Sequence, residues 1–409
     1  MIPTLSDYQE VVGAEAIEEL RLLAALVHNQ RCQHINSTPV GGGVAELLTR
    51  LVPLMQELGI ETTWNVIKGD DQFSVVTKAL DQALLGKANA LSEAMLESYR
   101  ATIEMNLRDL VFTGDVIFVH DPEPAGLVAH RKADGRRWIW HYHLDLSTPG
   151  QAAWQILRSL AEKYDAAICS IPEFAQPLSI PQYVIPPSID PLNDRNKDID
   201  GGWMLEVLAK YKIDPERPII IQTGRFDRAA DPLGVITAYR LTKKQHNCQL
   251  VLAGDGTIDD PDNLTLVSDI QAQAASDPDL HAILLPPFSD MEINALVRAS
   301  TVVMQKPLRE DFGLSVAEAM WKRKPVIGGA VGGIRRQIVN GFTGFLVHSP
   351  EGAARRAAQL LADADMCRSM GDNGRMYVMQ NFLFTRQVRD HLLVLLAQNH
   401  PEPDVTFLA

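Results

Sequence analysis

Short runs of β-branched and apolar residues alternate along the chain with stretches whose apolar positions recur at helical spacing. In the first half the runs are QHINS (33–37), ETTWNVI (61–67), DVIFVHD (115–121), RWIWHYHL (137–144) and AAICSIP (166–172). Between the first two lies GVAELLTRLVPLMQELG. Its Val44, Leu47, Leu48, Leu51, Met55 and Leu58 share one helical face, and Gly59 can end the helix. Strand, glycine turn, helix and strand make a βαβ unit, and right-handed crossovers join such units into a mostly parallel sheet. The segment IPPSIDPLNDRNKDIDGG (185–202) then breaks the pattern with the Pro, Asp, Asn and Gly of a linker. The alternation restarts. PIIIQTGRF, QLVLAGDG, HAILLPP, TVVMQKP and KPVIGGA read as strands, with DPLGVITAYRLTKKQ, DMEINALVRAS and GLSVAEAMWKRK as helices and a helical tail. The pattern predicts an α/β protein of two doubly wound, Rossmann-like domains facing a cleft, over residues 1–190 and 191–385. Ligands of such sheets bind at the carboxyl ends of strands, beside glycine-rich turns.

Composition agrees with two domains. The chain has 409 residues, 46% of them apolar, too many for one ordinary core. Its formal net charge of −13 repels phosphate backbones and anionic lipid, so neither nucleic acid nor membrane is an expected partner. Cys32, Cys169, Cys248 and Cys367 form no CxxC pair, which fits reduced, buried thiols better than a zinc site or disulfides. The first thirty residues lack a basic n-region and carry acids through their apolar stretch. They read as one amphipathic helix, not a signal peptide. No run reaches the roughly 18 apolar residues of a membrane span. A cytoplasmic enzyme is the expectation.

Four stretches can carry chemistry. In HINSTPVGGGVAE, Gly41, Gly42 and Gly43 follow the first strand and open a helix, where free amides and a partial positive charge suit a phosphate or a sugar hydroxyl. The dinucleotide fingerprint lacks its third glycine, which argues against an oxidoreductase. A secreted binding protein of periplasmic type would need the missing signal peptide. In GRFDRAADPLG, Arg225 and Arg228 are positioned for a phosphate, or for salt bridges to Asp227 or Asp231. In REDFGLSVAE, the amides of Phe312, Gly313 and Leu314 open a helix, with Glu310 before it and Glu318 inside it. The two acids can serve a sugar and a ribose, or be ordinary helix charges. Finally, FVHDPEP and HYHLDLS place His120, Asp121, His141, His143 and Asp145 at strand ends. No cysteine or further ligand at fixed spacing supports a metal, so none is expected, and hydrogen bonds to a sugar are the better use.

Arg225, REDFGL and the Glu310-x7-Glu318 pair, followed by AMWKRKPVIGGAVGG, resemble the family 4 retaining glycosyltransferases of GT-B fold. HINSTPVGGGVAELL, VHDPEPAGLV, WHYHLDLS, PPSIDPLNDRN and RFDRAADPLGVITAYR narrow the resemblance to its trehalose synthases and retaining trehalose phosphorylases. The resemblance implies GT-B architecture, with a last helix over 386–409 returning to the first domain. It implies transfer of glucose from ADP-glucose or UDP-glucose to glucose, reversibly, with no cofactor and no metal beyond the nucleotide-sugar substrate. A homodimer is compatible with it. Glu318 would hold the ribose, the Phe312–Leu314 amides the distal phosphate, Glu310 the donor glucose and Arg225 the diphosphate. Gly41, Gly42, Gly43, Lys78, Asp121 and His143 would surround the sugars, with Glu310, Arg225, His143 and Asp121 as the catalytic set.

Three positions depart from the family pattern. Ala230 stands where the family usually has a lysine, five residues after the arginine. Asp311 replaces a common glycine, and His141 an arginine. Each change removes positive charge or adds negative charge near a leaving phosphate. Losing one such donor costs about 2.7–4 kcal/mol in the transition state. The chain then reads as an engineered variant of an active enzyme, a relative using Arg228 or Arg335 instead, or an impaired sugar-binding relative.

Overall fold

The computed structural model describes residues 2–86, 91–255, 261–398 and 405–407. The chain forms two compact units, Met1–Pro186 with Thr385–Ala409, and Pro187–Phe384. The first runs α1 (Leu5–Val12), α2 (Ala14–Val27), β1 (Cys32–Asn36), α3 (Gly43–Glu57), β2 (Thr62–Val66), α4 (Asp71–Leu84), α5 (Glu93–Asp109), β3 (Val116–His120), β4 (Arg137–His141), α6 (Gln151–Ala161), β5 (Ala166–Cys169) and β6 (Gln182–Val184). The second runs α7 (Gly201–Lys210), β7 (Ile219–Thr223), α8 (Pro232–Lys243), β8 (Gln249–Asp255), α9 (Pro261–Ala275), β9 (Leu280–Leu285), α10 (Asp290–Ala299), β10 (Val302–Gln305), α11 (Leu314–Trp321), β11 (Val326–Gly329), α12 (Ile334–Gln337), β12 (Gly344–Val347), α13 (Pro350–Ala362) and α14 (Ala364–Asn381). Helix α15 (Phe384–Ala397) and strand β13 (Val405–Phe407) follow.

Every named strand pairing is parallel. The first sheet has the order β13-β6-β5-β4-β3-β1-β2, the second β12-β11-β10-β7-β8-β9. Parallel strands covered on both faces read as continuous apolar runs, and Ile219–Thr223, Val302–Gln305 and Val326–Gly329 are buried throughout. Winding reverses between β1 and β3 in one sheet and between β7 and β10 in the other. Loops leaving neighbouring strands in opposite directions open a crevice at each reversal.

The structure corrects four expectations. The amino-terminal helix is two helices, because Gly13 (φ 86°) turns the chain between α1 and α2. The segment 185–202 is not a free linker. Asp190 and Asn196 are buried, and the Asn196 amide donates to the Asp190 carbonyl at 3.0 Å. Strands β6 and β12 were not expected, being too short to show a period. The expected last helix over 386–409 ends at Ala397, and 405–407 is a strand beside β6. Residues 399–404 and 408–409 of the expected helix lie outside those described.

One close approach sets the second crevice. A Cβ on Gly254, near the end of β8, would sit 1.7 Å from the Gly224 carbonyl oxygen, in the turn that carries Arg225. Gly254→Ala should therefore push that turn aside and cost roughly 1–3 kcal/mol. Urea unfolding checks this, and an unchanged midpoint would contradict the packing.

Candidate active site

In the second unit the two strands flanking the reversal are tied at their ends. The Gln305 side-chain amide donates to the Thr223 carbonyl at 2.7 Å. The loop after β10 then makes a tight turn into α11. Gly313 adopts φ 80°, a left-handed conformation open to glycine, and caps the helix with no side chain. The amides of Phe312, Gly313 and Leu314 donate to no protein acceptor among the described residues. Their carbonyl side is held instead. The Gln337 side chain donates to the carbonyls of Phe312 and Gly313, and the Gly333 amide to that of Asp311 at 2.9 Å. The turn is thus held through its carbonyls while these amides keep their donor capacity, an arrangement suited to an anion.

Glu310 lies before this turn, largely buried, its Oε1 accepting the Asp311 amide at 3.2 Å. Burial pushes its carboxyl up to about 7, and the charges of Asp311 and Asp227 add to the effect. Glu318 has the opposite setting. Its Oε2 accepts Arg195 Nε at 2.9 Å, while Arg195 Nη1 reaches Asp290 at 2.9 Å. Buried Lys322, one turn on, donates to Asn196 Oδ1 at 2.7 Å and to the Glu318 carbonyl at 3.1 Å. Burial draws its amine down to about 7.

Arg225 and Arg228 are exposed on the loop after β7. Among the described residues neither Asp227 nor Asp231 forms an ion pair with Arg228. Asp227 Oδ1 accepts the Ala230 amide at 2.7 Å. Asp231, at φ 53°, caps α8 and forms an ion pair with buried Lys306. Ala230 therefore lies beside a cation that the sequence reading did not single out.

The first unit gathers a different set. Gly41 and Gly42 take positive φ in an exposed loop after β1, and Gly43 begins α3 with no side-chain cap. Asp121, just past β3, adopts φ 65°. Its Oδ1 accepts the His143 amide at 2.8 Å, and its carbonyl accepts Trp140 Nε1 at 3.1 Å. Lys78 is exposed on α4, one turn before Asp81. Asp81 is pushed up to about 8, first by burial and then by the charges of Glu123 and Asp121. Glu123, which accepts Ser37 Oγ at 3.3 Å, is pushed up to about 7 by burial and then by Asp121.

Five histidines meet at the same reversal. Sheet register pairs His120 with His141. His34 Nδ1 lies 3.0 Å from His120 Nε2, and His120 Nδ1 lies 3.4 Å from His143 Nε2. The His141 and His143 rings stack at 4.2 Å, and His391 from α15 lies 5.6 Å from His141. Burial lowers all five, His34 to about 3 and His143 and His391 to about 4. Sequence reasoning placed His120, His141 and His143 at strand ends but missed His34 as a member, and His391, Asp81, Glu123, Arg195 and Lys306 altogether. The polar residues Gln33, His34 and Asn36 inside the buried run CQHIN were the available signal for His34.

The comparisons bear on both units. Residues 34–176 match the model described as trehalose synthase, N-terminal domain, and residues 205–377 that of glycosyl transferases group 1. The trehalose synthase of Thermococcus litoralis is 40% identical over 397 residues, covering 96% of each chain. The chain belongs to the trehalose synthase family of glycosyltransferases. A trehalose phosphorylase of Pleurotus pulmonarius is more distant, 27% identical over 92% of this glycosyltransferase and 59% of its own length. The sucrose-phosphate synthase of Thermosynechococcus elongatus superposes with a TM-score of 0.68 over 90% of this chain and 99% of its own, at 17% identity, showing the shared GT-B fold. No helix among the described residues is long and apolar enough to cross a membrane.

The acid pair yields a pH prediction. Asp81 holds its proton more tightly in the folded enzyme than at its ordinary value of 3.8. Stability is therefore lost as pH rises from about 4 through about 8. Asp81→Asn should melt with the wild type near pH 4 and be more stable at pH 8. The gain is on the order of 2 kcal/mol, discounted for partial solvent contact. Melting curves across this range check it, and equal curves at pH 8 would refute it.

Proposed function

We propose that this glycosyltransferase moves glucose from ADP-glucose or UDP-glucose to free glucose, with retention, to form trehalose, and that the reaction is reversible. The amides at the start of α11 without a protein acceptor among the described residues, with Glu310 before them and Glu318 beyond, carry the reading. The distal phosphate takes those amides and Arg225. Glu318, held by Arg195, accepts from the ribose, and Glu310 contacts the donor glucose. Gly41–Gly43, Lys78, Asp121 and His143 serve the sugars.

The transfer is front-face. The bond from the anomeric carbon to the phosphate oxygen breaks, and the acceptor hydroxyl bonds to that carbon on the same side. The departing phosphate takes the hydroxyl's proton, so no protein nucleophile is needed. The main task of the protein is then to stabilise negative charge on the leaving phosphate. Here this glycosyltransferase is weakened. Ala230 supplies no charge, Asp311 adds an anion, and neighbouring Lys306 is already paired with Asp231.

Incubation with each nucleotide sugar and glucose, with trehalose measured by chromatography, tests the reading. Trehalose is expected from at least one donor, and none from either would overturn the function. Release of glucose 1-phosphate from trehalose and phosphate, without nucleotide, would favour a phosphorylase. Ala230→Lys should raise turnover by roughly 100- to 1,000-fold. An unchanged rate would overturn the proposed weakness.

A further inference from the structure

We propose that His120, His141 and His143 form a binding site for one borderline transition-metal cation, of which Zn2+ is the type. One ligand nitrogen from each residue lies within 4.8 Å of the other two. Two imidazoles on a tetrahedral zinc, with Zn–N near 2.0–2.1 Å, hold their nitrogens about 3.3–3.4 Å apart. His120 Nδ1 and His143 Nε2 stand at 3.4 Å. The third nitrogen comes from His141, whose ring stacks on His143 and must swing to complete the set. His141 is 1% exposed, and among the described residues its Nδ1 has no hydrogen-bond partner.

The surroundings can accommodate an ion. His34 Nδ1, 3.0 Å from His120 Nε2, can accept that nitrogen's proton. In that tautomer His120 Nδ1 is a lone pair, the outer-shell arrangement of ligating histidines. A cation bound by His120 Nδ1 and His143 Nε2 would replace the proton of the hydrogen bond between them. Asp121 follows His120 directly and holds the His143 amide, so a carboxylate stands close to offset the added charge. His143 is only partly buried and gives a way in from solvent. An all-imidazole set discriminates by chemistry. It suits zinc, cobalt, nickel or copper, and not Mg2+ or Ca2+, which take oxygen ligands.

Occupation has a consequence for transfer that rests on the sugar-contacting role given to His143 above. A metal that ties up His143 Nε2 removes it from substrate, so the ion acts as an inhibitor. Binding itself does not depend on that role.

The test uses the full chain freed of metal with a chelator. Co2+ is titrated with visible absorption, and Zn2+ by calorimetry, with Mg2+ as control. The expected result is one Co2+ or Zn2+ per chain and no response to Mg2+. His120→Asn and His141→Arg should each weaken Zn2+ binding by more than about tenfold, while His28→Asn, on the exposed surface, leaves it unchanged. Circular dichroism and melting confirm that each variant is folded. Should the His120 variant fail to fold, the His141 variant decides. Absence of stoichiometric binding, or wild-type affinity in a folded His141→Arg protein, would overturn the site. That outcome would identify the cluster as a proton-linked hydrogen-bond relay. Trehalose formation is read in parallel, with chelator-reversible inhibition by Zn2+ expected. Stoichiometric, His141-dependent binding without inhibition upholds the site and refutes the role of His143 alone. Loss of trehalose formation in the metal-free protein as well counts against the proposed reaction and not against the site.

Discussion

A parallel strand buried on both faces can present a functional side chain only where it ends. Strands β7, β10 and β11 spend their length on Ile, Val and Met, and polar groups first appear at Gln222, Thr223 and Gln305. The hydrogen bond from Gln305 to Thr223 then joins the two strand ends across the reversal of winding. Two loops leave from that fixed edge, and the Leu308 amide donates to the Ala229 carbonyl at 2.7 Å to tie them together. The position of Glu310, Asp227 and the α11 amides follows from this edge rather than from any one loop residue.

Strand β1 meets the same constraint differently. CQHIN is buried throughout yet carries three polar side chains. Such a strand is tolerable only if each group finds a partner. Gln33 donates to Asn65 Oδ1 at 2.8 Å, Asn36 accepts Trp64 Nε1 at 2.8 Å, and His34 meets His120. The first unit thus brings polarity into its sheet beside the reversal, where the second unit keeps it at the rim.

Much of this was legible along the chain, and the reason is geometric. Continuous apolar runs bounded by turn residues mark parallel strands, so the order of elements and the strand-end loops could be read directly. Glu310, Glu318 and the glycine turn lie within nine residues, and local spacing suffices for them. The histidine cluster was not legible as a cluster. Its members come from β1, β3, β4, the following loop and α15, and linear spacing carries no record of which strands lie side by side. Gly13 was read as part of one helix because the apolar period continues past it. The segment 185–202 was misread because Pro, Asp and Asn suit a linker and a well-packed loop equally.

That loop is where composition and function diverge most. Arg195 lies in the run with linker composition, yet its planar fork binds two acids at once, Glu318 and Asp290, each at 2.9 Å. The ion pair with Arg195 holds the Glu318 carboxylate in place. With Oε2 of Glu318 committed to Arg195, Oε1 remains as an acceptor for a hydroxyl. Glu310 has no such cation among its partners and is held high by burial and two neighbouring acids. The two glutamates of one motif therefore sit in different settings, one paired with a guanidinium and one pushed up by burial and two neighbouring acids. Lys306, the buried cation close to Ala230, cannot redress this balance while Asp231 holds it. On the reaction proposed above, a positive charge added at Ala230 would draw the Glu310 carboxyl down as it stabilises the leaving phosphate.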